Sequence, residues 1–367
     1  MHSKLTGRGS TLSKLTLISA LGVALSLAAH QAAAVDVFTD PVGFITLTAN
    51  GTNTFSPGLS YLGLGMTQLP ANRGLVSSVA GTGITVNNTL TANQFKRDGS
   101  NNPTAFIEIT SGANAGLIDD IVSNSTTTIF TASDDSALVS AGQTYKVYPH
   151  WTIDSVFGSK NEAGLLGGNS SSAADNIIVF AALSQSSSIY YFRTNTTGGC
   201  PLGGCGWRST SSTSSNVGPT VLDIDNGVKI QRRQGPDITV KLVGGVKLGQ
   251  TIIPIATNIN IVGNVYPVTN LTLGVSGLYT GSSATGVLGG NSSSAADNVD
   301  IWNGTGFDIY YFRTNVTGGC PLGGCGWRST SSTSIDKSGT SFPLGGSVRI
   351  QRRAGGFNWT APQTFTP

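Results

Sequence analysis

The hydrophobic pattern of the chain is one of short strands separated by polar turns. Val42 to Thr48, Ala105-Phe-Ile-Glu-Ile-Thr110, Thr127-Thr-Ile-Phe-Thr131 and Thr144-Tyr-Lys-Val-Tyr148 are rich in β-branched and aromatic residues. Clusters of Gly, Asn, Ser and Thr bound them. Ile189-Tyr-Tyr-Phe-Arg193 and Val228-Lys-Ile-Gln231 continue the pattern. Asp225-Asn-Gly227, just before Val228, reads as a hairpin turn whose Asn and Gly accept positive φ. Beyond residue 34 no long stretch keeps a 3.6-residue apolar period, so the pattern predicts an all-β fold.

The first 34 residues follow a different logic. Lys4, Arg8 and Lys14 lead into the apolar run Leu15 to Ala29, and small residues end at Ala32-Ala33-Ala34. This is the composition of a secretory signal peptide. The run is shorter than the roughly 18–20 apolar residues of a membrane span. An exported protein is expected, starting at Val35, with no transmembrane segment in its mature part.

A duplication organises the remainder. Gly167-Gly-Asn-Ser-Ser-Ser-Ala-Ala-Asp-Asn176 returns unchanged as Gly289 to Asn298. The segment Tyr190 to Ser214 returns as Tyr310 to Ser334 with only Thr196 changed, to Val316. Val228-Lys-Ile-Gln-Arg-Arg233 returns as Val348-Arg-Ile-Gln-Arg-Arg353. A short indel separates the first two blocks, and Val147-Tyr-Pro149 answers Val265-Tyr-Pro267 more weakly. The expected organisation is a signal peptide (1–34), an N-terminal β domain (35–145) and two homologous tandem units (146–262 and 263–367). Each unit is read as sandwich-like or barrel-like.

Charge narrows the functions. Only 11% of the 367 residues are charged, and 49 are Gly. The leader holds three of the 21 basic residues and none of the 18 acidic ones, so the rest is neutral. A neutral chain offers no long-range field for nucleic acid or anionic membrane. Sparse charge also gives little protection against self-association.

Candidate chemistry is thin. His150 is the only His beyond the leader, so a His-based metal cluster is excluded and His150 reads as structural. No G-x-S-x-G elbow accompanies it. Asp223-Ile-Asp225-Asn-Gly227 starts like a calcium loop but lacks the closing Glu, and the second unit has Pro343-Leu-Gly345-Gly-Ser347 there. Asp175 and Asp297 are single carboxylates. Asp119-Asp120 and Asp134-Asp135 read as surface turns, since neighbours on a strand face opposite ways. No catalytic residue, metal or cofactor is expected.

Cys200, Cys205, Cys320 and Cys325 form two identical loops. In an exported chain an even count reads as disulfides, with Cys200–Cys205 and Cys320–Cys325 favoured among three pairings. A Cys₄ zinc site and intermolecular bridges are the rivals. Near these loops, Tyr190, Phe192, Trp207 and Arg208, with Tyr310, Phe312, Trp327 and Arg328, form a candidate aromatic platform for a glycan or a protein partner. Core packing is the competing reading.

The Asp40-Pro-Val-Gly-Phe44 start, Ser111-Gly-Ala-Asn-Ala-Gly116, Ile259-Asn-Ile-Val-Gly-Asn-Val-Tyr-Pro267 and the Tyr-Tyr…Gly-Trp-Arg…Arg-Arg units resemble an uncharacterised family of secreted bacterial β-rich proteins. That family has no established activity, so the resemblance implies export and a β fold and lends no site residues. The sequence therefore reads as an exported structural or cell-surface protein. A self-associating subunit, a homo-oligomer or filament, is expected, with Phe357 to Pro367 as a free connecting strand. The alternative is a carbohydrate- or partner-binding module.

Overall fold

The computed structural model describes residues 40–53, 58–195, 197, 204–315, 317 and 324–365. The expected leader, 1–34, lies outside them, as do Cys200 and Cys320. Two strands open the described chain, β1 (Val42–Ala49) and β2 (Gly58–Leu62). Next come β3 (Asn72–Ala80), β4 (Gly83–Val86), β5 (Ala105–Ile109), β6 (Ile118–Asn124), β7 (Thr128–Thr131) and β8 (Thr144–Pro149). These six close into an antiparallel barrel in the order β3-β4-β7-β6-β5-β8. Alternate residues line its interior, so Val76, Ile84, Ile107, Ile121, Ile129 and Val147 share one core.

The chain continues through β9 (Trp151–Thr152) and a single helical turn, α1 (Ile153–Phe157). Six strands follow: β10 (Asn176–Ala181), β11 (Ser186–Arg193), β12 (Gly206–Ser209), β13 (Val221–Leu222), β14 (Val228–Arg232) and β15 (Ile238–Gly245). The last seven are β16 (Thr251–Ile255), β17 (Asn258–Gly263), β18 (Asn298–Trp302), β19 (Phe307–Arg313), β20 (Gly326–Ser329), β21 (Ser347–Arg352) and β22 (Phe357–Ala361). The fold is all-β, and no helix among the described residues is long and apolar enough to cross a membrane.

Strand pairing redraws the expected boundaries. One five-stranded sheet runs β12-β11-β10-β14-β2, and the other runs β20-β19-β18-β21-β17. The ribbon β1–β15 has its counterpart in β16–β22. The first copy thus begins at Val42, not at residue 146, and the barrel is inserted between its β2 and β9. The second begins at Thr251 rather than at 263. The two strands assigned to an N-terminal domain had kept only the strand pattern of their counterparts, not their residues.

In each copy the ribbon covers the sheet. Ile45, Leu47, Val240 and Leu242 share a core with Leu62, Ile177, Ile230 and Trp207. Ile253, Ile255, Phe357 and Trp359 do the same with Val262, Val299 and Ile350, joined by Phe106 and Tyr148 of the barrel. The final strand is therefore no free connector. β22 alternates buried Phe357, Trp359 and Ala361 against its own sheet.

The copies meet reciprocally. The Gly63 amide donates to the Gly345 carbonyl (3.0 Å), and the Gly263 amide donates to the Asp225 carbonyl (2.9 Å). Bridges Leu62↔Gly346 and Asn226↔Val262 repeat the relation. Because Gly63 matches Gly263 and Asp225 matches Gly345, this is an internal pseudo-two-fold interface. It also corrects the hairpin reading, since neither Asn226 nor Gly227 has a positive φ. Gly227 is needed for close approach: a Cβ there would lie 2.5 Å from Cβ of Ser347 in the facing copy.

Candidate functional site

The repeated motifs fasten each copy internally. Trp207 and Arg208 are both 0% exposed, and Trp327 and Arg328 are buried likewise. These four do not present a platform to solvent. Phe157 and the carbonyl of Gly158, which accepts from Trp207 Nε1 at 2.8 Å, cover the first tryptophan. Arg208 Nη2 donates to the carbonyls of Gly204 and Cys205, and Arg328 Nη2 to those of Gly324 and Cys325, so each arginine pins the exit of its Cys loop. Tyr190, Phe192, Tyr310 and Phe312 are half-buried against the two cores. Phe312 and Trp327 line a 340 Å³ cavity that Gly277 leaves open where the first copy has Phe157. Cys205 and Cys325 are not free thiols.

The polar block has an equally internal task. Asp175 and Arg232 are a buried ion pair at 2.5 Å, and Asp297 and Arg352 repeat it at 2.5 Å. The other carboxylate oxygen of each Asp accepts the backbone N–H of Arg233 or Arg353 (2.6 Å in both). The second arginine reaches back to the loop carbonyls of Ser171 or Ser293. Gly168 and Gly290 turn so tightly that a Cβ would sit 2.9 or 2.8 Å from the backbone of Ala173 or Ala295. Strand residues here can be exchanged singly for others of like volume, but a single change in a buried ion pair strands its partner, and a Cβ at these glycines meets backbone.

The pseudo-two-fold creates two equivalent clefts between the copies, and they have diverged. One, of 320 Å³, is bounded by Tyr61, Trp302, Pro343 and Gly345. Trp302 reaches across it to donate to the Leu59 carbonyl at 3.1 Å. Its counterpart has 690 Å³ and is bounded by Ala182, Leu183, Ile253, Val262, Phe357 and, in place of Pro343 and Gly345, Asp223 and Asp225. Apolar walls with a few convergent polar groups are the usual make-up of a ligand pocket.

At the carboxylate end the barrel adds two residues. Asp120 lies on β6, and His150 follows β8 directly. His150 Nε2 is 3.0 Å from Asp120 Oδ1, and Nδ1 is 3.7 Å from Asp223 Oδ1. His150 is 6% exposed, packs on the Phe106 ring (5.0 Å between centroids), and is tethered by Gln68 Nε2 donating to its carbonyl at 2.6 Å. Burial, then the charges of Asp223 and Asp120, pushes the Asp225 carboxyl up to about 7. Burial also raises Asp223, opposed by His150. A carboxyl tuned this way can hold or release a proton near neutrality.

Four residues read as structural or as turns thus converge in one place. Asp119 and Asp120 do face opposite ways, Asp120 towards His150 and Asp119 towards Asp135. Asp135 is buried rather than in a surface turn. One signal was available in the sequence. Asp223 to Asp225 carries two carboxylates where the second copy has Pro343 to Gly345. Comparisons with protein-family models, curated proteins and solved structures gave no match.

Proposed function

We propose that this is an exported binding protein whose ligand occupies the 690 Å³ cleft between the two copies. The observation that carries the reading is the asymmetry of two pseudo-equivalent clefts. One is narrowed by Trp302, whereas the other is open, apolar-walled and ends in Asp223 and Asp225. Its chemistry suits a ligand with an apolar body and a hydrogen-bond-donating head, as hydroxyl-rich carbohydrates and small amines have. This moves the binding reading from the Trp-Arg loops to the cleft, and no residue is given a catalytic role. Saturation-transfer NMR with glycan and amine panels tests it. Binding abolished by Ala182→Trp, with the fold kept, supports the cleft; binding unaffected by that change refutes it.

A second reading, the self-associating structural subunit, is favoured by the ribbon β1–β15. Phe44 (69% exposed) lies directly opposite Val243 (67% exposed), beside exposed Val42, on its outer face. Apolar pairs of this kind mark interaction surfaces when they are contiguous. Electron microscopy and size-exclusion of the purified protein, alone and as Phe44→Lys, test it. A parent that stays monomeric at high concentration excludes this reading.

A further inference from the structure

We propose that His150 and Asp223 bind one divalent transition-metal ion at the end of the cleft, with Asp120 holding the imidazole in place. One donor atom from each residue lies within 4.8 Å of the others. The three come from β6, from the β8–β9 junction and from the segment after β13, so the constellation exists only where the barrel docks on the first copy. His150 supplies the independent observation. It is more than nine-tenths buried, its Nε2 is engaged by Asp120, and its Nδ1 has no hydrogen-bond partner. Nδ1 lies 3.7 Å from Asp223 Oδ1, beyond hydrogen-bond length. Two ligands on a tetrahedral ion with bonds of ~2.0–2.1 Å are about 3.3 Å apart. An ion fits between these two atoms with a shift of a few tenths of an ångström.

The surroundings agree with this placement. Asp120 already stands where a carboxylate accepts the second N–H of a metal-bound imidazole, fixing the tautomer and the ring plane. Among the described residues, His150 is the sole ion-pair partner of Asp120 and Asp223, so no Lys or Arg competes with an ion there. An imidazole ligand favours Zn²⁺ over Mn²⁺ and Ca²⁺. Asp223 also lines the cleft, which leaves the remaining coordination positions open to water or to a ligand group. The site stands or falls apart from the cleft reading, since an ion can bind with the cleft otherwise empty.

The test is calorimetric titration of the chelator-treated full chain with Zn²⁺, Mn²⁺ and Ca²⁺, paired with thermal melts and the His150 imidazole NMR signals. One equivalent of Zn²⁺ is expected, bound more tightly than Ca²⁺, raising Tm and shifting the Nδ1 resonance. Asp120→Asn should weaken binding by about 10-fold to 100-fold, and His150→Gln and Asp223→Asn, which remove ligands, should each weaken it more. No Zn²⁺ binding by the folded protein, tighter Ca²⁺ binding, or an unchanged affinity in folded His150→Gln overturns the site. Should that variant not fold, an Nδ1 resonance of the parent that ignores Zn²⁺ overturns it equally. Loss of the metal site with glycan or amine binding intact leaves the cleft reading standing, and the converse result leaves the metal site standing.

Discussion

Lys247 Nζ lies 2.6 Å from Glu108 Oε1, with both side chains almost wholly buried. Glu108 belongs to β5 of the barrel, and Lys247 to the link between β15 and β16. Lys247 also donates to the Gln250 carbonyl (2.8 Å), whose own side chain donates to the Ala115 carbonyl of the barrel (2.8 Å). One buried charge pair thus ties the inserted barrel to the joint between the copies. Breaking such a pair from one side strands a charge and costs about 3–5 kcal/mol. Lys247→Met should lower stability in urea by that amount, and adding Glu108→Gln should recover part of the loss. A single variant within about 0.5 kcal/mol of the parent, the scatter of ordinary surface changes, contradicts this role.

The two Asp–Arg pairs make a paired prediction. Asp175→Ala and Asp297→Ala should each destabilise by about 3–5 kcal/mol, because each leaves a buried guanidinium and an orphaned arginine amide. Equal losses tie the unchanged polar block to folding. One silent variant would mean that its copy keeps the block for another reason.

Truncating the C-terminus should not yield a folded monomer. β22 supplies Phe357, Trp359 and Ala361 to the second core and is the partner of β16. Trp359→Ala should cost about 3–5 kcal/mol, and deletion of residues 357–367 should give aggregation or loss of near-UV circular dichroism. A soluble truncation with a native spectrum would restore the connecting-strand expectation.

Asp135 gives a pH test. Burial, then the neighbouring Asp119 carboxylate, pushes its carboxyl up to about 6. A carboxyl with a folded value above its unfolded one binds its proton more tightly in the folded state. Its stabilising contribution is present at low pH and is lost as pH climbs from about 4 through about 6. Asp135→Asn should therefore gain on the parent across that interval, by on the order of 1 kcal/mol once solvent screening is allowed for. A stability difference that is flat from pH 4 to 7 refutes the assignment.

Local pattern was legible; long-range company was not. Ile189 to Arg193 and Val228 to Gln231 are strands as their residues dictate, and the indel between repeats falls where the hairpin β10–β11 is one residue pair longer than β18–β19. Pairing of β1 with β15 joins segments on either side of a whole barrel, and no turn signal encodes that. Trp207 beside Arg208 looks the same in sequence whether it lies on a surface or in a core. Phe157 and the ribbon decide the matter, and neither is near it in the chain. Asp120, His150 and Asp223 could not be grouped without the insertion that gathers them. The contrast of Asp223 and Asp225 with Pro343 and Gly345 was visible, but it gains meaning only once the clefts are known to be equivalent.

The insertion also gives the two copies different histories as the chain emerges. The second copy is contiguous, so β16 and β17 wait only through its own strands for β22 and β21. The first must hold β1 and β2 unpaired until β15 and β14 appear, with Val42 waiting for Gly245 and Leu62 for Val228. Open strand edges are an aggregation hazard in that interval. The barrel shortens the wait in space, if not in time. By pairing β3 with β8 and the Ala71 amide with the Val147 carbonyl, it brings the two severed ends of the first copy together. Closing a loop costs less entropy when most of its length is already folded. The barrel therefore acts as a folding clamp, and loosening it should slow the first copy's assembly before it weakens the finished protein.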